Sequence, residues 1–494
     1  MLRMIFITAV SMTMMLLSGC AVGPDFIRPA APNIDRYTLQ PLPEQTAVTE
    51  MKGGEAQRFV RDMDIPGQWW TLFHSKPLNN LIEQALKANP DLQGAQAALR
   101  VAWENVYAQQ GSFFPGVEAG FNPTRQKIAD ALASPLSSGG SLYSLHTAQV
   151  TVSYVPDVFG GARRQVESLK AQADFQRFQL EAAYLTLTSN VVSAAVEEAA
   201  LRGQIAATRK IIEIQSKSLD LLQKQYALGQ IAALDVASQE TALAQTQATL
   251  PPLEKQLAQQ RDLLVRLAGR FPGETLTEEF ELSSLQLPQE LPVTLPSRLV
   301  EQRPDVRSAE DLLHAASADI GVNTANRLPN ITLSANVGSS ATAINQLFTS
   351  GTGFWALAAN LTQPVFQGGT LLHRQRAAEA AYDQAAAQYK STVLTAFQNV
   401  ADTLHAIQLD ADALKAAAIA ERAAAKSLAI VRKQLELGDI SYLALLNAEQ
   451  TYQQTVVNLV QALANRYTDT AALFQALGGG WWNRPDLYAA AGPA

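Results

Sequence analysis

Hydrophobic and polar positions follow two different periods along this chain, and the period switches in a fixed order. From Leu78 to Gln110 apolar residues recur at helical spacing in an Ala/Leu/Gln-rich stretch, and Pro90 followed by Asp91 suits a helix cap and first turn. After Pro115 the pattern alternates, with Val117, Ala119 and Phe121 on one face, then Val150, Val152 and Tyr154 against Thr151 and Ser153. The alternation returns at Ile331, Leu333, Ala335 and Val337, and again at Leu357, Ala359 and Leu361. Each run is about ten residues, long enough to cross a bilayer as a tilted strand. The Ser/Gly-rich stretches from Ser134 to Ser141 and from Ser339 to Gly353 fit exposed loops joining the strands.

From Ala162 to Leu228 no proline and a single glycine, Gly203, interrupt a helical pattern, which at about 1.5 Å per residue is roughly 100 Å long. Ile205, Ile212, Leu219 and Tyr226 recur every seven residues, with Leu201 and Leu222 near the companion positions, as in a coiled-coil seam. Leu414, Leu428 and Leu435 do the same later in the chain. Gly229 and Gly438 are where these helices can stop, since glycine accepts the left-handed conformation that ends a helix. Helical periodicity resumes at once beyond each, so each is the tip of a long helical hairpin. Pro251-Pro252 is expected to kink or break the first return helix, whereas Ala444 to Leu477 has no such break, so the hairpins are not expected to be equivalent.

The same order of periods occurs twice, at an interval of about 210 residues. Asn89-Pro90-Asp91-Leu92 returns as Arg303-Pro304-Asp305-Val306, and Phe114-Pro115-Gly116-Val117 as Leu328-Pro329-Asn330-Ile331. Pro156, Gly160 and Gly161 return as Pro364, Gly368 and Gly369, marking the turns from strand to helix, and the Gly229 tip returns at Gly438. The chain therefore divides into residues 1–19, a cleaved signal; 20–75, an N-terminal segment; 76–270, a first repeat of helix, strand pair and long hairpin; 271–296, a linker; 297–477, the second repeat; and 478–494, a tail. The fold class is mixed and mainly α, with long helical hairpins and four β-strands per protomer contributing to a shared transmembrane β-barrel. Four strands cannot close a barrel, and an open edge in lipid leaves backbone groups unpaired, so several copies must share one. Two copies would give eight strands and three would give twelve; closure alone does not choose.

The N-terminus adds an address. A basic, then apolar, start leads to Leu17-Ser18-Gly19-Cys20, a lipobox whose cysteine is expected to carry a thioether-linked lipid. Cys20 is the only cysteine, which leaves no disulfide and no thiolate metal site. Hydrophobic residues at 47% and charged residues at 17% argue against disorder, and a formal charge of -7 gives no footprint for nucleic acid. Beyond the signal no stretch reaches the apolar length of a spanning helix, so any crossing must be made of strands.

These residues resemble a family, the TolC-like outer membrane factors, in their NodT-type lipoprotein branch that serves tripartite RND-type efflux pumps. The resemblance covers nearly the whole mature chain and rests on Cys20-Ala21-Val22-Gly23-Pro24-Asp25 with Arg28-Pro29, Trp69-Trp70, Arg303-Pro304-Asp305-Val306-Arg307, Pro364-Val365-Phe366 with Gly368-Gly369, and Gly478-Gly479-Gly480-Trp481-Trp482. It implies a homotrimer with a twelve-stranded barrel in the outer membrane of a Gram-negative bacterium, a periplasmic helical tunnel, and a belt built from the termini and the segment near Phe271 to Pro296. It implies passive exit for drugs, toxic organics or metals delivered by an inner-membrane pump through a periplasmic adaptor. Ala21 after the lipid-bearing cysteine resembles an outer-membrane sorting signal. In the family the hairpin tips pinch the tunnel shut, with acidic residues just past the tip glycine. Asp235 and Asp439 match that pattern, with capping of the return helices as the alternative. Ala444 and Asn447 stand where relatives often carry aspartate, so a hydrogen-bonded or apolar constriction involving Tyr442 and Asn447 is the other expectation. Two further readings compete: the exit duct of a type I protein secretion system, and a lipid-anchored structural coiled coil without a pore.

Nothing points to an enzyme. His74, His146, His314, His373 and His405 are scattered, Gly351-Thr352-Gly353 precedes a strand pattern instead of a helix, and no nucleophile elbow occurs. No cofactor or metal is expected beyond the lipid on Cys20. Phe121, Phe354 and Trp355 are read as girdle aromatics at the membrane interface or as interior packing, and Trp481-Trp482 as an anchor of the belt.

Overall fold

The computed structural model of the chain describes residues 21–127, 142–437 and 439–484. Cys20, the signal segment, Gly438, the Ser134 to Ser141 loop and the end of the tail lie outside the described residues. The elements run β1 (Arg58–Arg61), α1 (Lys76–Ala88), α2 (Pro90–Gln110), β2 (Gly116–Lys127), β3 (Leu142–Tyr154), α3 (Gly161–Ala227) and α4 (Ala233–Leu267). They continue with β4 (Glu290–Val293), α5 (Pro296–Gln302), α6 (Pro304–Ala325), β5 (Asn330–Ala341), β6 (Gly353–Thr362), α7 (Thr370–Leu437) and α8 (Tyr442–Ala476). The duplication is visible in the lengths: α3 and α7 have 67 and 68 residues, and α4 and α8 have 35 each.

Contacts divide the chain into two compact units, and neither is one repeat. The first unit gathers Met1–Pro29, Ala98–Gln176 and Ala309–Tyr389; the second gathers Ala30–Ala97, Arg177–Ser308 and Lys390–Ala494. In the first, β2, β3, β5 and β6 form an antiparallel sheet in that order. The strand pair of each repeat is joined to the other through β3 and β5, with Val150 opposite Val337 and Tyr154 opposite Leu333. Directly opposed residues share a face. Val117, Val152, Ala335 and Leu357 fall in one row of that register, and Ala119, Val150, Val337 and Trp355 in the next. The reverse face carries Glu118, Thr151, Asn336 and Ala356 in one row and Gly120, Gln149, Gly338 and Phe354 in another. One face is thus apolar and the other largely polar. Phe121 and Trp355 lie on the apolar face, but Phe354 lies on the reverse one, because neighbours along a strand point opposite ways.

In the second unit β1 and β4 pair in parallel, Arg58 opposite Glu290 through Arg61 opposite Val293. Trp69, Trp70, Phe73, Tyr467 and Phe474 are all buried, with Trp69 stacked on Phe474 at 5.4 Å. Trp481 donates its indole N–H to the Gln302 carbonyl at 2.7 Å and Trp482 donates to the Asp64 carboxylate at 3.0 Å, so both tie the tail to this core. Arg466, fully buried, donates to the carbonyls of Gly53 and Glu55 and to the Thr46 hydroxyl, which fastens the N-terminal segment to α8. Burial pushes its guanidinium pKa down against the pull of Glu55, Tyr467 and Asp410.

Three sequence expectations change. The stretch from Leu78 to Gln110 is two helices, because Asn89 ends the first and caps the second: its side-chain oxygen accepts from the Asp91 and Leu92 amides at 2.9 and 3.2 Å. Pro251-Pro252 does not break α4, which runs unbroken from Ala233 to Leu267 with both prolines inside. The carbonyls left without a donor four residues back belong to Gln247 and Ala248, which are exposed and reach water. The seven-residue repeat of α3 holds, with Ile205, Leu201 and Leu222 buried, but the buried positions between the two leucines at that spacing are Thr208 and Gln215, and the ladder's last member, Tyr226, is 51% exposed. Two polar residues thus occupy seam positions, which an apolar ladder does not reveal.

Helix ends are built alike. At Gly229 (φ +68°) the amide donates to the Tyr226 carbonyl and the Gln230 amide to that of Gln225, both at 2.9 Å, the paired bonds of a left-handed helix stop. Gly269 and Gly478 repeat this at the ends of α4 and α8, and the Asp439 amide donates to the Gln434 carbonyl at 3.0 Å at the end of α7.

Candidate functional site

The hairpin tips lie within the second unit, and Tyr442 is their centre. It is the first residue of α8, only 8% exposed, and packs with Leu222 of α3, Leu428 of α7 and Leu445 of α8, with Ile231, Val236 and Leu435 alongside. Its hydroxyl donates to the Gln239 side-chain oxygen at 2.7 Å, and the Gln239 amide in turn donates to the Gln215 carbonyl at 2.7 Å. One tyrosine therefore ties α8 to α4, and through Gln239 to α3. Burial raises its phenol pKa, and the charges of Glu449 and Asp235 add to the rise while a hydrogen bond with Ser218 opposes it.

Glu449, one side of the same junction, is 2% exposed and pairs with Arg432 at 3.2 Å. Burial raises its carboxyl pKa, countered by Arg432 and by a hydrogen bond from Gln215. Asp235 is half-buried in the first turn of α4, where the positive end of the helix favours an acid. Neither Asp235 nor Asp439 is an N-cap: those positions are Ala232 and Ser441, and neither makes a side-chain capping bond. Asn447 is exposed on a cleft of about 760 Å³ between α4 and α8, beside Leu443, Leu446, Gln450 and, across the gap, Ser238 and Gln245. Asp235 acts on Tyr442 through its charge, with Val236 beside it packed on the tyrosine's cluster, while Asn447 lines the cleft together with Leu446 and Gln215.

The strand-to-helix turns lie in the first unit. Pro156 and Gly160 (φ +78°) connect β3 to Gly161, the first residue of α3, and Pro364, Gly368 (φ +59°) and Gly369 (φ +84°) connect β6 to α7. The first turn holds the segment that follows Cys20. The Val22 amide donates to the Phe159 carbonyl at 3.0 Å, and Arg164, 4% exposed, donates to the carbonyls of Val22 and Gly23 and to the Asp25 carboxylate at 2.7 Å. Gly23 lies against Gly321, where a side chain on either would collide with backbone. Phe26 stacks on His314 at 4.3 Å, and Arg28 pairs with Glu310 at 2.9 Å. Val22 and Gly23 are thereby fixed next to the turn that follows β3, and the segment to Arg28 is fastened to α3 and α6.

The sheet has two faces of opposite character and, among the described residues, one unpaired edge each on β2 and β6. Among those residues no helix is long and apolar enough to cross a membrane, and no cluster of three metal-ligating side chains occurs. Four strands of 10 to 13 residues, apolar on one side, are the part of the chain suited to lipid. The profile of outer membrane efflux proteins matches residues 81–270 and 295–479, one match for each repeat. The chain belongs to that family. It is 30% identical over 478 residues to the toluene efflux pump outer membrane protein TtgF of Pseudomonas putida, covering 94% of this chain and 95% of that one. It is 29% identical to the outer membrane protein OprJ of Pseudomonas aeruginosa, over 94% of each.

Solved structures agree at the level of fold and family. The outer-membrane channel OprN matches with a TM-score of 0.82 at 26% identity, over 94% of this chain and 100% of that one. The open-state outer membrane channel MtrE of Neisseria gonorrhoeae matches with a TM-score of 0.79 at 25% identity, over 94% and 99%. The chain is an efflux channel protein of the Gram-negative outer membrane, as its resemblance to TolC-like factors implies. The sequence singled out Tyr442 and Asp235; Gln215, Gln239, Arg432 and Glu449, which the structure places around Tyr442, were not among its candidates. The signal for Gln215 was present, since it stands seven residues before Leu222 and fourteen after Leu201 in one heptad row.

Proposed function

We propose that three copies of the chain close a twelve-stranded barrel and form a passive exit duct for small toxic organic molecules. The observation that carries this reading is the one-sided sheet with both edges unpaired: an edge in lipid costs several kcal/mol per unsatisfied group, so the strands must be completed by further copies. Substrate arrives from an inner-membrane pump through a periplasmic adaptor docked at the hairpin tips. Relatives named for toluene and antibiotic efflux support organic cargo. The duct does no chemistry, and selection belongs to the pump. Cys20 carries the lipid that holds the segment after it at the membrane, and the Tyr442 and Asp235 junction contributes to closing the tip at rest.

Deleting the gene should raise susceptibility of its host to hydrophobic antibiotics and solvents at least several-fold, and the wild-type chain should restore resistance. Unchanged susceptibility to every organic toxicant, with loss of a secreted protein instead, would overturn the efflux reading.

A further inference from the structure

Each repeat makes a strand-to-helix turn, and the two turns differ sharply in what covers them. In the first repeat Val158 and Phe159 are half-buried, and the helix-to-strand turn of the second repeat lies beside them: a side chain on Gly161 would stand 3.0 Å from the Ala325 methyl, and Leu328 is half-buried too. The register explains this contact, since the end of β3 (Tyr154) pairs with the beginning of β5 (Leu333). The corresponding residues at the outer ends of the sheet are bare. Val365 is 92% and Phe366 88% exposed after β6, and Phe114 is 72% exposed before β2. A side chain on Gly111, which stands where Ala325 stands in the second repeat, or on Gly368 would meet no atom within 4 Å, and one on Gly369, the counterpart of Gly161, would meet only the His373 ring of its own helix, at 3.3 Å.

The four strands alternate in direction, so β2 and β6 run opposite ways and the end of β6 lies at the same level as the start of β2. A neighbouring copy whose β2 continues the sheet from β6 recreates, between chains, the junction that β3 and β5 make within one. We infer that the Val365–Phe366 turn of each copy seats on the Gly111–Phe114 turn of the next, a knob of two apolar side chains that locks the base of each inter-subunit seam. The occupant is a second copy of this chain, and the internal junction is its template. Burying three large exposed apolar side chains per seam removes the kind of surface that a monomer does not keep bare.

This inference rests on the shared barrel, and the test separates the two. A photoreactive p-benzoylphenylalanine placed at position 366 of the full lipoprotein in its own outer membrane should, on irradiation, give chain-to-chain adducts mapping to residues 107–117. The same group at position 159 should give adducts only within one chain, on the Leu328 turn. Phe366→Ala should lower the temperature at which SDS dissociates the assembly, while Phe348→Ala, 80% exposed in the β5–β6 loop, should not. A three-chain particle in which position 366 reacts only with lipid or its own chain, or in which the two alanine variants behave alike, overturns the inference and leaves the shared barrel standing. A one-chain particle overturns the barrel itself.

Discussion

Tyr442 concentrates the chemistry of the tip because its ring packs against both hairpins while its hydroxyl donates to Gln239 of the first. Removing that hydroxyl leaves the Gln239 side-chain oxygen without its donor in a buried site, which costs about 1 kcal/mol or more. Tyr442→Phe should therefore ease opening: single-channel conductance in a planar bilayer should rise or flicker more, with the assembly intact by gel. Asp235→Ala with Tyr442→Ala should open further and admit bulky antibiotics, while Asp402→Ala, exposed well up α7, should conduct like wild type. Conductance unchanged in all of them would place the constriction elsewhere.

Asp410 offers a second test at this scale. Burial, then its hydrogen bond and charge interaction with Asp469 across the second hairpin, raise its carboxyl pKa to about 7, against the opposing charge of Arg466. The folded state holds this proton more tightly than the unfolded one, so the contribution is greatest below the ordinary value of 3.8 and is lost as pH rises from there to about 7. The temperature of dissociation should fall across that window, and Asp410→Asn should flatten the fall. An unchanged slope would mean the two carboxyls do not share a proton. Such residues were hard to read in sequence, since a glutamine or aspartate on a long helix looks solvent-facing until the partner helix is known. Tyr442 was legible because it follows a tip glycine; Gln239 and Glu449 had no comparable marker.

At the scale of elements, the helix stops were the most legible feature. A glycine that ends an uninterrupted apolar period signals a left-handed stop, and Gly229 adopts it; Gly438 lies outside the described residues, and Gly269 and Gly478, which the sequence had not singled out as stops, adopt the same conformation. Alanine at Gly229 should cost about 1–2 kcal/mol, visible as a lower denaturant midpoint, since the space around that position is empty and only the backbone angle resists. No loss would mean the tip rearranges freely. The prolines of α4 did not end the helix, since the carbonyls they orphan, at Gln247 and Ala248, are exposed to water, and solvent exposure is not readable from a dipeptide. The seam of α3 was hard to read in the same way, with Thr208 and Gln215 hidden inside it.

At the scale of the whole molecule, the duplication and the strand pairs were written in the sequence as matched landmarks and alternation. The joining of the pairs through β3 and β5 was not, because register across repeats depends on packing that no local period encodes. The number of copies is likewise invisible to a single chain, whose edges say only that more strands are needed. Counting chains per particle therefore tests the central claim most directly: light scattering of the protein purified in mild detergent, corrected for bound detergent, should give the mass of three chains that resist dilution, whereas a stable particle of one chain would contradict the shared barrel.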